Sequence, residues 1–216
     1  MIALVRYLVS DVVKAQRWIA PMLAFLAVSM IATPTVGPVL PTYAISAATL
    51  LPISMWFTIV VFHNEEPAQG AITMAVAGGF SRVWPAKLVA AFVGALAFVV
   101  LAFLYITVST FSQTTPTRLG IGILDYVMCA VTGVAFGALI SRPVMPKVAW
   151  TVLTGVAICL AQLLIRHAPP VNAMIQLYAG DSPAESVGQL LLIAAESLVL
   201  AAVAIGVGNV LARARS

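Results

Sequence analysis

Two carboxylates interrupt long apolar runs of this chain, Asp125 and Glu196. An ionisable group in such a run is costly to place in hydrocarbon, by roughly 2.5–3.5 kcal/mol on insertion scales, so it normally faces the interior of a helix bundle. There it can line a path, lie in a seam between chains, or stay as a hydrogen-bonded acid that ties helices together. The residue types leave these readings open, and neither acid has a basic residue inside its own run. Other sets that could do chemistry are absent. No G-x-x-x-x-G-K-[ST], HExxH or G-x-S-x-G occurs. His63 and His167 are far apart, and Cys129 and Cys159 lie in apolar runs without CxxC spacing, as small core residues do. The chain is therefore expected to be no enzyme, to hold no metal and to need no cofactor of its own.

The elements that position these groups follow from composition. Of 216 residues, 62% are hydrophobic and 8% are charged. The mean hydropathy is +1.08. A soluble domain carries about 25% charged residues, so this chain cannot face water on all sides. An all-α integral membrane protein is expected, and a soluble enzyme domain, a nucleic-acid-binding module and a disordered tail are excluded. Six stretches approach the roughly 20 apolar residues a crossing helix needs: about 18–33, 39–62, 88–111, 119–141, 147–165 and 188–211. Pro41 and Pro52 in the second predict a kink.

With both termini in the cytoplasm, only Arg118 and Arg166 fall outside and every other basic residue falls inside. The net charge of +4 then reflects topology rather than an anionic ligand. Trp18, Trp56, Trp84 and Trp150 land near the inner interface, and Tyr43, Tyr105 and Tyr126 near the outer one. A cleaved leader is not expected, because Arg6, Lys14 and Arg17 are spread widely and no A-x-A site follows.

Three segments are not spans. In 1–17, Arg6, Ser10, Asp11, Lys14 and Arg17 recur at helical spacing, which predicts an amphipathic helix lying in the membrane interface. In 63–87, Asn64, Glu65 and Glu66 precede Pro67, and Gly78 and Gly79 supply a stop, so Ala68 to Ala77 is expected to be a short cytoplasmic helix. Its Ile72, Met74 and Val76, with Phe80 just beyond, call for a partner surface or the membrane interface. In the external segment 166–187, Val171 to Tyr178 is apolar enough for a short helix capping the bundle. Gly133 and Gly137 form a GxxxG in the fourth stretch, which lets another helix approach closely. Together with Asp125 and Glu196, these glycines are the candidates for a path or dimer seam.

This layout resembles the membrane (permease) subunit of type-2 ATP-binding-cassette (ABC) exporters. The resemblance covers most of the chain by layout. Its sequence motif is Glu65, Glu66, Gly70, the Ala71 to Ala77 run, Gly79, Ser81 and Arg82, with Gly78 and Gly79 where many members have a proline-containing turn. It implies a coupling helix between spans two and three, with Glu65, Glu66, Gly70, Ile72, Met74, Phe80, Ser81 and Arg82 docking on a separate ATPase subunit. That partner would hold ATP and Mg. It also implies a second permease chain, identical or related, and a site in the cell (plasma) membrane. The cytoplasmic pieces, about fifty residues, are too few for a catalytic domain. Two other classes remain open. A substrate-capture subunit of a multi-subunit importer would need an outer pocket, which Asp125, Tyr126, Tyr178 and Glu196 could line. A small membrane channel would want rings of polar positions that no span shows.

Overall fold

The computed structural model describes residues 1–32, 39–109, 115–178 and 187–214, which hold helices and connections but no strand. In chain order the helices are α1 (Ile2–Lys14), α2 (Ile19–Ala32), α3 (Val39–His63), α4 (Pro67–Ala77), α5 (Phe80–Ser109), α6 (Pro116–Ile140), α7 (Val148–Leu164), α8 (Val171–Tyr178) and α9 (Val187–Ala214). Four of them, α3, α5, α6 and α9, are long and apolar enough to cross a bilayer. The chain is thus an all-helical, multi-pass membrane protein.

Two of the six expected spans form shorter helices. At 1.5 Å per residue, the 14 residues of α2 reach about 21 Å and the 17 of α7 about 25 Å, against a hydrocarbon core of about 30 Å. The stretch that follows α2, 33–38, lies outside the described residues. The third span begins earlier than expected, at Phe80 rather than near 88, so Phe80, Ser81 and Arg82 belong to the first turn of α5. α3 continues as a helix through Pro52, whose missing N–H frees the carbonyl of Ala48. α8 coincides with the expected 171–178 helix; Gly180, Asp181, Pro183 and Glu185 lie outside the described residues.

The core is built on the α3–α6 pair. Gly122 lies against the ring of Tyr43, Gly133 against the carbonyl of Leu51, and Gly137 against Thr58 and the carbonyl of Met55. A methyl at Gly137 would come within 2.6 Å of Thr58 Cβ. The GxxxG face is therefore filled by a helix of the same chain, and the seam expected there lies inside the protomer. The buried rings of Tyr43 and Tyr126 cluster with the partly buried Phe103 of α5 at one end of this pair, with centroids 5.9–6.5 Å apart.

Packing fixes helix directions. At one end, Ala212 of α9 clusters with Phe62 of α3, Trp84 of α5 and Ala138 of α6. One turn back, Gly208 touches Leu139, and Ala201 and Ala204 pack on Ala135. α9 therefore runs parallel to α6. α1 and α4 lie at the Ala212 end, and α8 at the opposite one. α1 is held there by buried Leu8 and Val12, by the Asn64 amide on the Asp11 carboxylate, and by Gln69 Nε2 donating to Tyr7 Oη at 2.9 Å.

Candidate functional site

The α4 end carries the larger part of the expected coupling set. Glu66 is the N-cap residue and Pro67 the first helical one, where the absent N–H would have no partner in any case. The helix stops at Gly78 (φ +85°) and Gly79 (φ +109°), left-handed conformations that glycine takes without strain. Their N–H groups both donate to the Met74 carbonyl, at 2.8 Å from Gly79. Two residues then separate α4 from α5, which folds the pair into a tight corner.

Glu65 is the hub of that corner. It is 4% exposed, pairs with Lys87 Nζ at 2.7 Å and accepts from Thr73 Oγ1 at 2.6 Å. Glu65, expected among the residues that dock on an ATPase subunit, thus has its charge matched within the protomer. Glu66, one residue on, is exposed. A cavity of about 670 Å³ opens beside them, lined among others by Glu66, Gly70, Met74, Phe80, Lys87 and Arg142. The structure thus joins five of the eight expected docking residues in one cavity wall: Glu65, Glu66, Gly70, Met74 and Phe80.

The other three lie elsewhere. Ile72 is 65% exposed and aligned one turn before Val76, 84% exposed, so both form the outer stripe of α4. Ser81 and Arg82 are exposed, and Arg82 Nη1 donates to the Ala77 carbonyl at 3.4 Å, capping α4. Lys87 and Arg142 were legible only as topology charges. The signal that could have singled out Lys87 is the glycine corner, which brings the start of α4 back beside the second turn of α5.

The opposite end holds Asp125. It is fully buried, and Tyr178 Oη donates to both of its carboxylate oxygens, at 3.1 and 3.0 Å. Burial and the neighbouring Asp125 push the Tyr178 phenol above its ordinary pKa, so it stays protonated and keeps donating. Asn172 fixes the α7–α8 joint: its Nδ2 donates to Leu163 O at 2.7 Å and its Oδ1 accepts from His167 N at 3.0 Å. The arrangement ties α6 to α8. Glu196 is not part of it; its side chain is exposed on α9. Among the described residues, no three His, Cys, Asp or Glu side chains converge as a metal site would require.

Against protein-family models, curated proteins and solved structures, the chain has no match.

Proposed function

We propose that the chain is the permease subunit of an ATP-driven exporter. It crosses the plasma membrane six times with both termini in the cytoplasm, pairs with a second permease chain, and couples through α4 to a separate ATPase subunit that holds ATP and Mg. The observation that carries this reading is α4 itself. It is a short helix between two spanning helices, anchored on its inner side through Glu65, Thr73 and Lys87, with an apolar stripe of Ile72 and Val76 turned outward. Exposed apolar groups on an anchored helix fit a protein partner. The adjoining cavity adds charges of both signs at its wall.

Support for six crossings comes from helix direction. α6 and α9 run parallel, so the chain returns from one end to the other between them, and α7, whose last turn meets α8 through Leu163 and Asn172, is read as the returning helix. On this reading α2, with the undescribed stretch 33–38, makes the same journey from α1, at the α4 end, to the start of α3, where Tyr43 Oη meets Thr107 at 3.3 Å. A capture subunit would want an outer pocket open to ligand, whereas Asp125 is fully enclosed.

The test is affinity capture of the tagged chain from native membranes in mild detergent, followed by mass spectrometry. A stoichiometric partner with a Walker loop is expected, and it should be lost from the Ile72→Glu/Val76→Glu double variant while the permease stays monodisperse. An intact complex with no ATPase would overturn the reading.

A further inference from the structure

α9 carries a heptad on the face it turns away from the bundle. Gln189, Glu196, Val203 and Val210 recur every seven residues, and Leu192, Val199 and Gly206 lie three beyond the first three of them. All are exposed, the leucine and valines at 57–66%. A 3–4 spacing sustained over three heptads is the period at which two helices pack knobs into holes in a left-handed pair. β-branched residues at the first heptad position with leucine at the fourth favour two strands, and a polar residue at the first position fixes register and oligomeric state. Val203 and Val210 take the first role and Gln189 and Glu196 the third, while leucine stands at one of the three fourth positions, Leu192, with Val199 and Gly206 at the others. A methyl added at Gly206 would meet nothing within 4 Å, which leaves room for a neighbouring backbone.

Comparison with α5 argues that this face is not made for lipid. α5 exposes a stripe through Val89, Val93, Leu96, Val100 and Leu104, and none of it is polar. Within the four long helices, Glu196 is the exposed acid among the described residues. Lipid tails offer a carboxyl no hydrogen-bond partner, so this position demands cover. The partner's chemistry follows from membrane geometry. Two copies of one chain insert with the same orientation, so their α9 helices run parallel and like residues meet at like depth.

We infer that α9 is the seam of a two-fold homodimer in which the Glu196 carboxyls of the two protomers hydrogen-bond across the axis, one donating its O–H to an oxygen of the other. The inference deepens the proposed dimer by choosing its surface and its partner, rests on that reading for the presence of a second chain, and needs no ATPase.

The test uses the full chain in its native membranes. Single cysteines replace Val199, Val203 and Val210 in turn, and, as controls, Leu191 and Leu198, which are equally exposed on α9 but off the heptad. Cys129 and Cys159 are changed to alanine, and a second set keeps the buried Cys129. Mild oxidation should link the heptad positions into dimers at least fivefold more than the controls. Glu196→Ala should lower linking roughly threefold to tenfold while Glu196→Gln keeps it. Absent linking, or equal linking at Leu198, in chains shown to be inserted and monodisperse would overturn the seam. An unlike chain captured at these cysteines would overturn the homodimer, and unchanged linking in Glu196→Ala would overturn the role of Glu196. ATPase capture from the same membranes reports separately on the transport reading.

Discussion

Tyr178→Phe keeps the ring and removes the donor, which isolates the Asp125 carboxyl. It should destabilise the detergent-solubilised chain by about 1–3 kcal/mol in thermal unfolding, the usual penalty for stranding a buried polar group. Asp125→Asn should do less harm, since an amide oxygen still accepts from the phenol; an unchanged melting temperature in Tyr178→Phe would refute the contact. Lys87→Met should be more severe, about 3–5 kcal/mol, because it leaves Glu65 buried without its countercharge. Lys87→Met/Glu65→Leu should recover most of that loss, and Glu66→Gln, at an exposed position, should leave unfolding where it was. The acids themselves were legible in the sequence, Asp125 because a carboxylate stands out in an apolar run and Glu65 because it precedes Pro67 at a helix start. Their partners were not. Tyr178 and Lys87 lie 53 and 22 positions away, distances that no local period encodes. The direction in which Glu196 points was hidden for a related reason: hydropathy tells depth but not azimuth.

At the scale of elements, glycines separate by what they face. Gly137→Ala should cost about 1–3 kcal/mol through overpacking against Thr58 and Met55. Gly70→Ala, on α4 with open space where a methyl would go, should instead stabilise by up to about 1 kcal/mol. Unfolding of the two variants side by side checks both signs, and a loss in Gly70→Ala would mean that the space beside Gly70 is not open. The ends of α4 and the whole of α8 could be read from sequence because proline and glycine mark them. The start of α5 could not. Its first turns hold Ser81, Arg82 and Pro85, which lower the local hydropathy and mimic a loop, yet Val83, Trp84 and Ala86 bury one face of a helix there. The GxxxG could be found, but its mate could not, since the motif specifies close approach and leaves the approaching helix unnamed.

For the whole molecule, the number of crossings decides which side of the membrane each segment meets. Single cysteines at Ala3, Ala68 and Ala214 should react with a membrane-impermeant maleimide only from the inside, and those at Thr117 and Ile175 only from the outside. Outside labelling at Ala3 would show that α2 does not cross; inside labelling at Ile175 would show the same of α7. Apolar length made the membrane-spanning helical bundle readable, and the distribution of arginine and lysine supplies the orientation that this labelling tests. The pairing of α3 with α6 and the parallel course of α6 and α9 were not, because in a chain this apolar nearly every helix face is an acceptable surface for every other.

The corner at Gly78 and Gly79 has a mechanical consequence. It joins an arm of 11 residues to one of 30, about 16 Å and 45 Å long. The joint is stitched by the Gly79 N–H on Met74, the Arg82 side chain on Ala77 and the Glu65–Lys87 pair across it. If the two arms turn as one piece, they form a bell crank. A sideways push of about 1 Å at the tip of the short arm becomes a travel of about 3 Å at the far end of the long one, at reduced force. Phe103 and Thr107, which touch Tyr43 and Tyr126, ride near that far end. A displacement applied to α4 would then reach, magnified, the aromatic cluster near the opposite end of α5.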